Sequence, residues 1–150
     1  MPEKQTIEAA RRDKAEGKSP STQAGEFVHE EIEHIREGKH GARSAKQAIA
    51  IGLSKARRAG VKLPPLRNGT ASAETRKRAT SDAAKGARRK RPSVRRGAAS
   101  LARLKREGHS AASRKALAIQ ARGAARRRTA AQRSASARKA ARTRARGAGS

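Results

Sequence analysis

Residues 21–60 read STQAGEFVHEEIEHIREGKHGARSAKQAIAIGLSKARRAG, and the spacing of their apolar side chains decides the fold class. Val28, Ile32 and Ile35 recur at i, i+4 and i+7 with Phe27 alongside, which puts one apolar stripe on a helix from about Thr22 to Glu37. Ser21 or Thr22 is suited to cap its start, and Gly38 to take the left-handed position that ends it. After the connection Lys39-His40-Gly41-Ala42-Arg43, the sequence Ser44-Ala45-Lys46-Gln47 has the form of a capping box and predicts a second helix. Ala45, Ile49, Leu53 and Ala56 continue at helical spacing, Gly52 leaves room for a close approach, and Gly60 marks the end before Pro64-Pro65.

The expected fold class is therefore all-α: a short helical hairpin over residues 21–60 in which Phe27, Val28, Ile32 and Ile35 face Ile49 and Leu53. A unit of this size is marginal by itself, since domains below about 40 residues usually need a metal, a disulfide or a partner chain. Homo-oligomer formation through the hairpin is expected on that ground. Residues 1–20 are polar, with Ile7 the only large aliphatic after Met1, and read as a flexible arm. Residues 61–92 mix Pro, Gly, Ser, Thr and basic runs without periodicity and read as a basic linker.

Past the linker the chain echoes its head. Arg36-Glu37-Gly38 recurs as Arg106-Glu107-Gly108, and Ala48-Ile49-Ala50-Ile51 as Ala116-Leu117-Ala118-Ile119. Val94, Ala98 and Leu101 share a helical face with Leu104 beside it, giving a helix from about Ser93 to Glu107. Ser113 is placed to cap another reaching Arg127. Residues 93–127 thus read as a second, weaker helical hairpin. Thr129-Ala130-Ala131-Gln132 starts a last Ala-rich helix to about Arg146, within a basic tail over 128–150 that is conditionally helical and partly disordered.

Composition narrows the function. The 150 residues include 39 Lys or Arg against 12 Asp or Glu, a formal net charge of +27, with no Cys and Phe27 as the only aromatic. Most of the apolar residues are Ala, so a single large core and an aromatic-lined enzyme pocket are both disfavoured. The charge is also uneven: residues 1–37 hold 6 basic and 9 acidic side chains, residues 38–67 hold 8 and 0, and residues 68–150 hold 25 and 3. No apolar run approaches the roughly 20 residues of a membrane-spanning helix, and the start lacks a signal-peptide core, so a cytoplasmic, nucleoid-located protein without a membrane role is expected.

A cationic half-chain with little apolar surface to bury needs counter-charge, and duplex DNA supplies about one negative charge per 1.7 Å of axis. Arg76, Lys77, Arg78, Arg88, Arg89, Lys90, Arg91, Arg95, Arg96, Arg126, Arg127, Arg128, Arg138 and Lys139 are the expected phosphate contacts. Arg dominates the tail, and its planar fork grips phosphate with two parallel hydrogen bonds. Such contacts position a protein without specifying sequence. The reading is a histone-like nucleic-acid-binding protein, most simply of double-stranded DNA. An RNA- or ribosome-associated protein and an antidote-type interaction component stand as alternatives.

Other chemistry is thin. His29 and His34 are five apart, about 140° round a helix, so His29-Glu30-Glu31-Ile32-Glu33-His34 is not the H-E-x-x-H zinc motif. Contacts of His29 with Glu33 and of Glu30 with His34 are expected instead, and no metal. No P-loop, catalytic carboxylate pair or activated nucleophile is recognisable, so no catalysis, cofactor or small-molecule substrate is expected. The acidic side chains Glu26, Glu30, Glu31, Glu33 and Glu37 have three open fates: solvation, docking on the basic second helix, or folding back on the tail.

The stretch from Ser19-Pro20-Ser21-Thr22-Gln23-Ala24-Gly25-Glu26-Phe27-Val28 through Gly38-Lys39-His40-Gly41 to Ser44-Ala45-Lys46-Gln47-Ala48-Ile49-Ala50-Ile51-Gly52-Leu53-Ser54-Lys55-Ala56-Arg57-Arg58-Ala59-Gly60 resembles a family of small basic bacterial proteins. They share an S-x-K-Q-A-I-A-I-x-L-S-x-A-R-x-A-G segment and are labelled uncharacterised, DNA-binding or plasmid stabilization proteins. The resemblance covers about residues 19–63 and implies a bacterial cytoplasmic protein, with plasmid stability as the role that one of the labels names. It supplies no site residues.

Overall fold

A computed structural model of the chain describes residues 1–88, 91 and 93–149. Among the described residues there are seven α-helices, one 3-10 turn at Ser110–Ala112 and no strand: α1 Lys4–Ala15, α2 Pro20–Arg36, α3 Ala45–Arg58, α4 Ala73–Ala87, α5 Val94–Leu104, α6 Arg114–Arg126 and α7 Ala130–Ala148. The all-α expectation holds at that level.

Local chemistry explains most of the boundaries. Pro20 occupies the first turn of α2, where its missing N–H costs nothing, so the cap falls on Ser19 and not on Ser21 or Thr22; its side chain accepts from the Thr22 amide at 3.3 Å. At the other end Gly38 takes φ +75°, its amide bonds the Ile35 carbonyl and that of Lys39 the His34 carbonyl, a left-handed cap with two hydrogen bonds. Ser44 caps α3 by accepting from Gln47 N at 3.2 Å, while Gln47 Oε1 reaches one residue further back than expected, to the Arg43 amide at 2.7 Å. Gly60, at φ +95°, closes α3.

α2 and α3 are packed neighbours, yet they do not stand as an isolated hairpin. α1 packs on α2 and α4 on α3. The arm of residues 1–20 is thus a docked helix: Ala10 is buried with Ala24, Phe27 and Ala56, and Ile7, Leu53, Val61 and Leu63 pack around them. A second cluster joins Ile35, Ala42 and Ala48 to Ala111 and Ala112 of the 3-10 turn, with Ile32 against it. Phe27 and Ile35 are fully buried as expected, whereas Val28, Ile32, Ile49 and Leu53 are half-buried. Alanine takes over where larger side chains were expected because the helices run close together. A Cβ on Gly52 would lie 2.6 Å from Val28 Cα, so a larger residue there must push α2 and α3 apart.

The supposed linker over 61–92 contains α4, capped by Ser72, and a tertiary contact. Asp82 is buried against α3, accepting from Ser54 Oγ at 2.6 Å and Arg58 Nε at 2.8 Å, and Gly86 lies where a Cβ would strike the Arg57 carbonyl. Asp82→Ala is expected to cost about 1.5–3 kcal/mol, the worth of a hydrogen bond to a charged group. Limited trypsin digestion checks it: cleavage after Lys77 and Arg78 should accelerate while the segment before Arg58 stays protected.

The tail also departs from expectation. Its described residues are helical rather than partly disordered, because Ser93, Ser113 and Thr129 each cap a helix and Ala-rich sequence propagates it. Thr129 and Gln132 form a complete capping box. The second hairpin is not formed: α5 and α6 do not pack side by side, and Val94 and Leu101 remain exposed. What the echoed sequence does is dock its turn onto the first one. Gly41 N bonds Leu104 O at 2.9 Å, Ala42 N bonds Gly108 O at 3.0 Å, and Arg36 Nε bonds Ala112 O at 3.1 Å.

Candidate nucleic-acid interface

Most acidic side chains of the head pair with cations of the head itself. Lys18 lies 2.7 Å from both Asp13 and Glu16, whose hydrogen bonds raise its ammonium pKa; Arg36 is 2.7 Å from Glu33 and Lys39 2.9 Å from Glu37. The Glu37 carboxylate is the main reason the Lys39 pKa is also raised. Glu3 accepts from His34 Nε2 at 3.0 Å and from Lys39, and these bonds, His34 first, hold its carboxyl below the usual range. The expected pairs of His29 with Glu33 and Glu30 with His34 are replaced: Glu33 goes to Arg36, His34 to Glu3, and Glu30 accepts the Glu3 amide at 2.6 Å. Glu31 is buried and meets Lys55 of α3 at 2.5 Å, so of the three fates open to the acidic side chains it takes docking on the basic second helix.

Beyond α4 the balance is lost. The only acidic side chain after Asp82 is Glu107, while residues 114–146 alone carry twelve Lys or Arg. Among the described residues, α5, α6 and α7 bury none, so these cations stand on solvent-facing helices. Of the expected phosphate contacts, Lys77 and Arg78 are exposed on α4 and Arg76 is half-buried, donating to Ala71 O at 2.9 Å. Arg88 ends α4, Arg91 lies between helices, and Arg95 and Arg96 sit in the first turn of α5; all four are exposed. Arg126, Arg127 and Arg128 run through the end of α6 into the turn before α7, and Arg138 and Lys139 lie midway along α7, all exposed. Arg89 and Lys90 lie outside the described residues.

The fold does not gather these groups into one pocket. It spreads them along rods, and this exposes what a search for adjacent basic runs missed. Arg138, Arg142 and Arg146 follow one another at i, i+4 and i+8, a single row on α7, and Arg133 and Arg144 add to the same helix. Helical spacing, not adjacency, was the signal. Between α3 and α6 an open depression of about 330 Å³ is lined by Arg43, Lys46, Ile119 and Gln120 among others, where the head meets the basic helices. No described helix is long and apolar enough to cross a membrane.

The head also brings Glu31, His34 and His40 together. No curated protein and no solved structure matches the chain. One family model does, and its description carries neither a DNA-binding nor a plasmid label. What the chain is similar to is thus a family of unknown function (DUF6496), matched over residues 4–67, which take in α1, α2 and α3 and leave every helix of the basic region outside.

Proposed function

We propose that the protein is a non-enzymatic, histone-like DNA-binding protein that grips the phosphate backbone with little sequence preference and organises plasmid or nucleoid DNA. The observation that carries the reading is the run of exposed, acid-free cationic helices from α5 to α7, beside a head whose ion pairs are largely internal. Helical rods studded with Arg suit a duplex: the planar fork takes two phosphate oxygens at once, and its charge does not titrate away. Backbone contacts of this kind hold any sequence alike.

The test is a side-by-side titration of nuclease-treated protein with labelled duplex DNA of two unrelated sequences and with structured RNA of equal length. The two duplexes are expected to bind within a few-fold of each other, and both more tightly than the RNA. A clear preference for the RNA would move the reading to an RNA- or ribosome-associated protein, and a stoichiometric acidic protein that survives nuclease treatment would move it to an interaction component.

A further inference from the structure

Glu31 and His34 stand at i and i+3 on α2, so their side chains leave the same face of the helix. The turn after α2 folds His40 back over them. One ligand-type atom from each of Glu31, His34 and His40 lies within 4.8 Å of the other two, and a second group, Glu3, Glu30 and His34, meets the same limit and shares the imidazole. Three segments distant in sequence therefore converge on one spot: the residue before α1, the C-terminal half of α2 and the turn leading to α3.

Three details separate this cluster from an ordinary buried ion pair. Glu31 is 1% exposed, and neither of its oxygens has a well-directed hydrogen bond; Oε1 is 2.8 Å from His40 Nε2 and Oε2 is 2.5 Å from Lys55 Nζ, close approaches without hydrogen-bond alignment. Glu30, 7% exposed, has its Oε2 buried without a hydrogen-bond partner. His40, equally buried, is oriented from behind: its Nδ1 donates to the Gly41 carbonyl at 3.0 Å, so Nε2 is the nitrogen turned to Glu31. A backbone carbonyl fixing one ring nitrogen while the other faces inward is the support that metal-bound imidazoles use.

We infer that Glu31, His34 and His40 form a binding site for a first-row divalent cation of the zinc class, with the Glu30 and Glu3 carboxylates at its edge. Two imidazoles and a carboxylate suit Zn²⁺ better than Mg²⁺ or Ca²⁺, which take oxygen ligands almost throughout. With Zn–N bonds of about 2.0–2.1 Å, tetrahedral ligands stand about 3.3 Å apart, so Glu31 Oε1 and His40 Nε2, now 2.8 Å apart, part slightly to admit the ion while His34 lies within 4.8 Å of both. Lys55 keeps Glu31 Oε2 and leaves Oε1 to the cation. The ion would tie α2 to the turn from Gly38 to Ser44, and His40 immediately precedes Gly41 and Ala42, whose amides hold the 104–108 turn.

The test uses the full-length, untagged chain, freed of nucleic acid and stripped with a chelator. Titration with ZnCl₂ by calorimetry is expected to show one ion per chain, CoCl₂ to give the visible absorption of a nitrogen- and oxygen-ligated ion, and MgCl₂ to give no heat. His34→Gln and His40→Gln are each expected to weaken zinc binding at least about tenfold, and the exposed His29→Gln to leave it unchanged. His40 supports a buried turn, so the half-buried His34→Gln, with its helicity checked by far-UV circular dichroism, carries the decision. Zinc binding no stronger than magnesium binding, or zinc binding that survives His34→Gln in a folded protein, overturns the site.

Discussion

Raising salt from 50 to 200 mM is expected to weaken duplex DNA binding by about three to five orders of magnitude, the loss seen when some 6–10 phosphates are neutralised. The number of contacts follows from the surface. α6 and α7 with their connection offer twelve cations, no carboxylate and no buried face. Each neutralised phosphate adds about −0.9 to the slope of log affinity against log salt, because the gain comes from counterions leaving the DNA. Replacing Arg138, Lys139, Arg142 and Arg144 with Gln should therefore flatten the slope by up to about 4, since each lost contact removes roughly one unit. Gln is nearly as good a helix former as Arg, so α7 persists and the change reads charge alone. Polarisation titrations at four salt concentrations measure it. A slope that is the same in the variant and the parent would place the DNA off α7, on α4, α5 and α6.

How far the sequence disclosed this arrangement depends on whether the determining contact was local. Caps were legible because a Ser or Thr and the amide three residues on decide them: Ser44, Ser113 and Thr129 each start the helix that their spacing indicates. The stripe of Phe27 and Ile35 was legible for the same reason. The docking of α1 and α4 was not, because it rests on pairs far apart in sequence, Glu3 with Glu30 and Asp82 with Ser54 and Arg58. Their segments carry few large apolar residues, and hydrophobic periodicity therefore passes over them. Alanine hid the core in a similar way. Ala24, Ala48 and Ala56 are as buried as Ile35, but in a chain where Ala also fills exposed helical faces, its presence says nothing of which side faces in.

The same reasoning separates the two halves of the candidate sites. Basic runs identified the cationic surface, since charge at that density is exposed whatever the fold. The Glu31, His34 and His40 grouping needed the turn geometry: His40 reaches Glu31 only because Gly38 reverses the chain at φ +75°. Pairing His29 with His34 was the wrong comparison. His34 belongs with Glu31, one turn behind it, and His29 is exposed.

Phe27→Ala is expected to remove about 3–5 kcal/mol from the head, the usual cost of truncating a buried aromatic to Ala. Phe27 is 1% exposed and is surrounded by Ala10, Ala24 and Ala56, whose single methyl groups have no freedom to swing into the space left behind. Only the partly buried Ile7, Leu53, Val61 and Leu63 at the margin can relax. Domains are typically stable by about 5–15 kcal/mol in all, so one substitution takes a large share. In thermal unfolding followed by far-UV circular dichroism, the cooperative midpoint should fall by about 12 °C or more, at some 4–8 °C per kcal/mol for a unit of this size. Val94→Ala, on exposed α5, should shift it by no more than the roughly 0.5 kcal/mol of an ordinary surface change. The helical signal of α7, which buries nothing against the head, should survive both substitutions. Equal shifts from Phe27→Ala and Val94→Ala would mean that the cluster around Phe27 does not hold α1, α2 and α3 together.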